Sequence, residues 1–317
     1  MHRRLSHAFF VFCLSWLLSA AAAHGEPVRY ARFEADGRTS YGIVEGDNIR
    51  ALDGDLFGEH SPSDRTYAID AVKILTPVER PSKVLALAGN YKSHLGGENV
   101  VTTVVTTTKT TTILRTGETT SDTKTTTDVE QPGVIPAKFQ IPQIFYKPPS
   151  CLIAAGEAII IPPGANNVHY EAELVIVIGR RAQQVMPQDA LDHVLGVTCG
   201  NDVSARDWQK ADVQWWRAKG CDTFGPVGPF IVSGIDYGDL DVTLRLNGQV
   251  MQRDRTSALI QDIPQIVSVA SHHVTLEPGD LIFTGTPGQT TAMKPGDTVE
   301  VEIEHVGKLV NPVAARP

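Results

Sequence analysis

Three carboxylates are the residues best placed to do chemistry. Glu171 and Glu173 open the apolar run Leu174-Val175-Ile176-Val177-Ile178, and on a strand positions i and i+2 point to the same face. A strand this apolar on both faces is buried. Two like charges at its mouth then repel and shift each other's titration unless a cation lies between them. Asp202 offers a third carboxylate, in a loop after a strand expected over Gly196 to Gly200 and just before a helix start at Ser204-Ala205-Arg206-Asp207. Three oxygen ligands without His or Cys favour Mg²⁺ first, then Mn²⁺ or Ca²⁺, over zinc. Taken alone, the same residues also fit a solvated Glu-x-Glu edge and a turn-capping aspartate, because the pattern is short.

These carboxylates need elements to hold them, and the chain reads as predominantly β. From Val28 to Leu75, short alternating runs are broken by turns at Asp36-Gly37 and Glu45-Gly46-Asp47-Asn48, a small N-terminal β-rich module over 24–76. Lys83 to Leu87 reads as a buried strand delivering Gly89-Asn90-Tyr91 and His94 to a loop. The composition then changes: 15 of the 26 residues from Thr102 to Thr127 are threonine. A segment so poor in large apolar side chains cannot offset its ordering entropy as a core element, so 99–135 is a surface insertion. Disorder is the first expectation for it, with a projecting hairpin about Gly117-Glu118 as the alternative. Beyond Ile135, turn signals such as Asn247-Gly248 and Glu277-Pro278-Gly279-Asp280 separate many short strands, as in a sandwich or barrel. Helices are expected over Pro187 to Val194 and Ser257 to Ser271, the second starting late or holding Pro264 in its first turn.

The whole composition bounds the function. The 317 residues are 42% apolar and 20% charged, a globular balance, with a formal charge of −8 and no basic block. Sequence-independent nucleic-acid binding needs clustered Lys and Arg, so it is excluded, and a small anionic substrate needs a local metal or basic pocket. Arg3 and Arg4, the apolar run Ala8 to Leu18 and the small residues Ala20 to Ala23 form the pattern of a cleaved secretory signal over 1–23. The run is shorter than the roughly 20 residues a bilayer needs, so no stable membrane anchor is expected after cleavage, and the mature chain is expected, periplasmic or secreted, from near His24. Cys151, Cys199 and Cys221 then remain, an odd number without metal-type spacing.

The company the carboxylates keep resembles the fumarylacetoacetate hydrolase family. His169-Tyr170-Glu171-Ala172-Glu173-Leu174 with Val177-Ile178-Gly179-Arg180 looks like its first metal motif, and Gly200-Asn201-Asp202-Val203-Ser204-Ala205-Arg206-Asp207 with Gln209 like its second. Ala218-Lys219, Asp222 to Pro229, Leu276 to Asp280 and Thr284-Gly285-Thr286-Pro287 complete the set. The resemblance covers about 27–97 and 138–312. It implies a mixed, β-rich fold, a β-sandwich roll with a few short helices and a small N-terminal β module, the catalytic domain spanning 80–312. It also implies a homodimer and a divalent cation on Glu171, Glu173 and Asp202. The longer fumarylacetoacetases have a further aspartate ligand upstream, so the match is to the shorter members, which act on acylpyruvates, oxaloacetate and dioxo-acids of aromatic degradation.

The resemblance further implies roles. His94, in a Gly-x-Asn-Tyr-x-x-His pattern, matches the family's base, and imidazole titrates near neutrality. The family's lid glutamate falls three residues after that histidine; here Gly97 holds that place and Glu98 follows, still on one helical face, although Gly96 and Gly97 weaken a helix. Lys219 matches a catalytic position, and Arg206 and Gln209 match substrate-contacting ones, to which Thr286 adds a hydroxyl and an amide for a substrate carboxylate. Bound through its carboxylate and oxo oxygens, a 2-oxo or 2,4-dioxo acid would react through a metal-stabilised enolate, with C–C hydrolysis or decarboxylation favoured over isomerisation. The alternative is an exported, noncatalytic metal- or ligand-binding protein, and a third idea makes the Thr-rich insertion a partner-binding arm. His169 reads as an orienting or core residue, His272 and His273 as capping, and Trp208, Trp215 and Trp216 as packing.

Overall fold

The computed structural model describes residues 27–96, 104–114, 117–127 and 135–316. The expected signal over 1–23 and the candidate Glu98 lie outside the described residues.

The N-terminal region folds as the four strands Val28–Ala35, Arg38–Glu45, Asn48–Gly54 and His60–Ala68. Asp36 and Gly37 both take positive φ, 51° and 70°, the geometry that a two-residue hairpin turn requires and that Asp-Gly supplies. These strands do not stand apart. Val28 to Ala31 pair antiparallel with Phe230 to Ser233, so the N-terminal strands extend one twelve-stranded sheet. From there that sheet runs through Gly225–Ser233, Val194–Asn201, Ala172–Ile178, Leu281–Phe283, Val84–Ala88 and Gln143–Lys147. A five-stranded sheet holds Ile159–Ile161, Gly307–Ala315, Thr298–Ile303, Asp241–Leu246 and Gln249–Arg255.

Ala172–Ile178 is the centre of this arrangement, and all seven of its residues are buried. Leu174, Ile176 and Ile178 pack in one core with Val242, Leu244, Val299, Val301 and Ile303 of the smaller sheet. Val175 and Val177 enter a second core on the opposite face with Val84, Ala86, Ile231 and Phe283. The continuous apolar run thus marks a strand covered on both sides, and the expected β-rich sandwich roll with few helices is the fold observed.

The helices are short. Pro187–His193 is a 3₁₀ helix, and α-helices cover Arg206–Ala211, Trp216–Gly220 and Ile263–His273. The last begins later than Ser257: Thr256–Ala258 is a separate 3₁₀ turn, Asp262 caps the helix by accepting from the Gln265 N–H at 2.9 Å, and Pro264 sits in the first turn, where no N–H partner is needed. The Thr-rich insertion is corrected from disorder to a hairpin. Val104–Leu114 and Gly117–Thr127 pair in continuous antiparallel register as a separate two-stranded sheet, consistent with the strand preference of β-branched threonine. Cys151, Cys199 and Cys221 are free thiols. No helix among the described residues is long and apolar enough to cross a membrane.

Candidate metal centre and active site

The strands Ala172–Ile178 and Val194–Asn201 run antiparallel with Glu173 opposite Gly200. Their shared end therefore brings Glu171, one residue before the first strand, beside Asp202, one residue after the second. The Asp202 N–H donates to the Glu171 carbonyl at 2.9 Å, and the Asn201 side-chain oxygen accepts from the Glu171 N–H at 2.9 Å. Carboxylate oxygens of Glu171, Glu173 and Asp202 lie within 4.8 Å of one another. Their exposures of 4%, 1% and 0% remove the solvated-edge alternative.

Three cations surround the three carboxylates. The Lys219 ammonium donates to Glu171 Oε2 at 2.5 Å and to Asp202 Oδ2 at 2.6 Å. The Lys147 ammonium, fully buried, donates to Asp202 Oδ1 at 2.7 Å and to the carbonyls of Phe224, at 3.1 Å, and Lys219. The Arg206 guanidinium donates to Glu171 Oε1, to Thr290 Oγ1 at 3.0 Å and to Gln209 Oε1 at 2.8 Å. Burial alone would raise the Glu171 carboxyl, but Lys219 and Arg206 hold it well below the usual carboxylate range. Burial likewise opposes the charge on Lys147, and Asp202 outweighs it, so Lys147 is held protonated.

Glu173 differs. Its Oε2 accepts from the Gly285 N–H at 2.7 Å, but Oε1 is buried with no partner. Burial, with the charges of Asp202 and Glu171, pushes its carboxyl well above the usual range. An orphaned carboxylate oxygen beside two others is what a hard dication requires, so these residues fit one. With three carboxylates balanced by three cations, a dication would leave two positive charges for an anionic ligand.

The trio opens on a cavity of about 230 Å³ lined by His94, Arg206, Gln209, Lys219 and Thr286 together with Phe139, Phe145 and Trp215. Every candidate site residue among the described ones therefore meets in one place. The His94 Nδ1–H donates to the Gly288 carbonyl at 2.6 Å; a carbonyl can only accept, which leaves Nε2 of the neutral ring unprotonated and 3.7 Å from Glu171 Oε1. Thr286 Oγ1 accepts from the Gln252 amide at 3.0 Å, leaving its own proton for a ligand. A larger groove of about 720 Å³ lies between Gly234–Gly238 and the start of the Ile263–His273 helix. Its lining holds no His, Lys, Arg or Cys, so the smaller cavity is the one equipped for chemistry.

Several residues here escaped the sequence reading. Lys147 ends a strand in Phe145-Tyr146-Lys147-Pro148, and only the lysine within an apolar run hinted at burial. Asn201 entered only as a member of the second metal motif and Gln252 carried no signal, since their role is to bond backbone: the Gln252 side-chain oxygen accepts from the Ala172 N–H at 3.1 Å. One tryptophan is corrected. Trp215 meets the Phe145 ring edge-on at 5.3 Å and forms cavity wall, whereas Trp216 is 71% exposed rather than packed. His169 is an orienting residue, bonded to Thr290 Oγ1 and Asn167 Oδ1 at 2.8 Å each, its ring held down to about 4 by burial and Arg206. His272 and His273 bond carbonyls of their own helix as expected.

Residues 116–314 match the family model described as fumarylacetoacetate (FAA) hydrolase C-terminal, and residues 28–77 match the one described as Rv2993c-like, N-terminal. Protein Rv2993c of Mycobacterium tuberculosis is 40% identical over 91% of this chain and 99% of its own. The crystal structure of 2-hydroxyhepta-2,4-diene-1,7-dioate isomerase from Mycobacterium marinum superposes with a TM-score of 0.74 at 35% identity, covering 91% of this chain and 99% of that one. Maleylpyruvate hydrolase from Sphingobium sp. SYK-6, solved with manganese (II) ion and pyruvate, gives a TM-score of 0.67 at 26% identity over 91% of this chain and 100% of that one.

Proposed function

The chain belongs to the fumarylacetoacetate hydrolase family, and from that premise we propose that it is a divalent-metal-dependent enzyme that converts a small 2-oxo or 2,4-dioxo acid through its enolate. The observation that carries this reading is the unpartnered Glu173 Oε1 within a buried carboxylate trio that opens on the His94 cavity. Glu171, Glu173 and Asp202 would hold Mg²⁺ or Mn²⁺, which would supply Lewis-acid stabilisation of the developing enolate charge.

The chain's own residues do the rest. Arg206, fixed by Gln209, presents its guanidinium to the substrate carboxylate, and Thr286 donates its free proton to the same group. Lys219 places a positive charge beside the reacting oxygen. His94 Nε2 takes the proton from carbon or from water and returns it, and Glu98 is the candidate for the lid glutamate. The aromatic wall of Phe139, Phe145 and Trp215 limits water around the reacting atoms. C–C hydrolysis or decarboxylation is the favoured outcome.

Assay of the purified protein with Mg²⁺ or Mn²⁺ on acylpyruvates, oxaloacetate and a dioxo-acid tests the reading, with turnover expected and lost in Glu173→Ala. Intact metal binding without turnover on any of them would instead establish a noncatalytic binding protein. Export, supported by the pattern over 1–23, and a homodimer, supported by the family resemblance, belong to the same proposal. An N-terminus near His24 on the protein recovered outside the cytoplasm and a two-chain mass in solution are the expected results; an intact Met1 or a one-chain mass would refute them.

A further inference from the structure

The hydrogen bonds behind His94 converge on one peptide group. The Pro287 carbonyl accepts from the Gln252 side-chain amide, and the N–H on the other side of that peptide, from Gly288, donates to Ser93 Oγ at 3.0 Å. Ser93 Oγ spends its own proton on Asp254 Oδ2 at 2.8 Å, while Asp254 Oδ1 accepts from the Arg255 N–H at 2.9 Å. Gln252 and Asp254 are i and i+2 on the strand Gln249–Arg255, so both side chains leave one face of it. One grips the peptide directly and the other through Ser93.

What the grip protects is the next carbonyl along. Gly288 has φ of +59° and no side chain, so its peptides reorient easily unless held. Its carbonyl is the acceptor for His94 Nδ1, and that bond favours the tautomer that carries its proton on Nδ1. None of Ser93, Asp254 and Gln252 lines the cavity.

We propose that Ser93 and Asp254 are positioning residues: with Gln252 they clamp the Pro287–Gly288 peptide, so that the Gly288 carbonyl holds His94 in the tautomer whose Nε2 faces the reacting atoms. This rests on His94 being the base of the proposed reaction. The chain of contacts joins the smaller sheet to the base, so the strand Gln249–Arg255 governs proton transfer without entering the site.

The test combines turnover with a readout that needs none. Ser93→Ala and Asp254→Ala are each expected to lower kcat by about tenfold to a hundredfold, the scale of a small misplacement of a catalytic group, while KM moves by less than about threefold. The double variant should lose no more than either single one, because both act through one chain, and Ser93→Thr, which keeps the hydroxyl, should retain the wild-type rate. With ¹⁵N-labelled histidine, the wild type should show His94 protonated on Nδ1, and Ser93→Ala should show a mixture. Unchanged kcat in both alanine variants, losses that multiply in the double variant, or the same single tautomer in wild type and both variants would overturn the proposal. A wild type inactive on every oxo-acid would overturn the proposed function instead, and the tautomer comparison would then decide the positioning role by itself.

Discussion

Glu173 is the residue whose chemistry is most sensitive to the metal. Its carboxyl is raised by burial and by two neighbouring carboxylates, so in metal-free protein the protonated form is favoured by folding. Stability from this group is therefore present below the ordinary carboxylate range and is lost as pH rises through the raised value. A dication binds the deprotonated form and reverses that loss. Relative to Glu173→Gln, chelated wild-type protein should lose thermal stability as pH is raised above the ordinary carboxylate range, and the increment from Mg²⁺ or Mn²⁺ should grow over the same rise, reaching about 2.7 kcal/mol at a hundredfold excess over Kd. Glu173→Gln should flatten both curves; a metal increment that survives in it would refute the ligand set. Lys147 makes the complementary case. Lys147→Met leaves Asp202 Oδ1 and two carbonyls without their buried donor, a change expected to cost about 3–5 kcal/mol in urea unfolding. A loss below about 1 kcal/mol would mean that Lys219 takes over its bonds.

Among the elements, the pairing of Ala172–Ile178 with Val194–Asn201 is what converts sequence spacing into a site. Gly200 lies opposite Glu173, and a Cβ there would meet Val175 Cγ2 at 2.4 Å and the Phe283 ring at 2.6 Å. Gly200→Ala should therefore push the two strands apart, with a stability loss of about 1–3 kcal/mol and weaker metal binding, read together by calorimetry. Normal metal affinity in a destabilised variant would show that the carboxylates are held from outside the pair. The turn at Gly285 bears on the same point from the other side. Its φ is +101° and its N–H donates to Glu173 Oε2, a backbone conformation that L side chains rarely adopt.

Among the described residues, the Thr-rich hairpin pairs only with itself, while the two cores that flank Ala172–Ile178 are built from the two large sheets. Replacing 104–127 by a short Gly-Ser linker should leave the melting temperature within a few degrees, since surface insertions lengthen a loop at small entropic cost. A large drop would place the hairpin in the folding unit. The N-terminal strands belong to the opposite case. Val28 to Ala31 continue the large sheet through Phe230 to Ser233, so a chain starting at residue 78 should expose that edge and aggregate, as unpaired sheet edges do; soluble, metal-binding protein from such a chain would argue against it.

The amino-acid sequence by itself determined the elements and the types of the ligands. An apolar run bounded by Glu-x-Glu dictates a strand buried on both faces and Asp36-Gly37 dictates a hairpin turn, because each is a matter of local period or backbone preference, whereas the motif around Asp202 points to the third carboxylate through the family resemblance. Only the tertiary structure decided the electrostatics. Lys147 lies 55 residues from Asp202 and Gln252 lies 80 from Ala172, and neither pairing leaves a periodic or compositional trace. The same holds for Ser93, Asp254 and Gly288, whose bonds cross three separate segments. Hydrogen bonds and buried charges depend on distance in space, and only the packing of the two sheets fixes which distant groups come within 3 Å of one another.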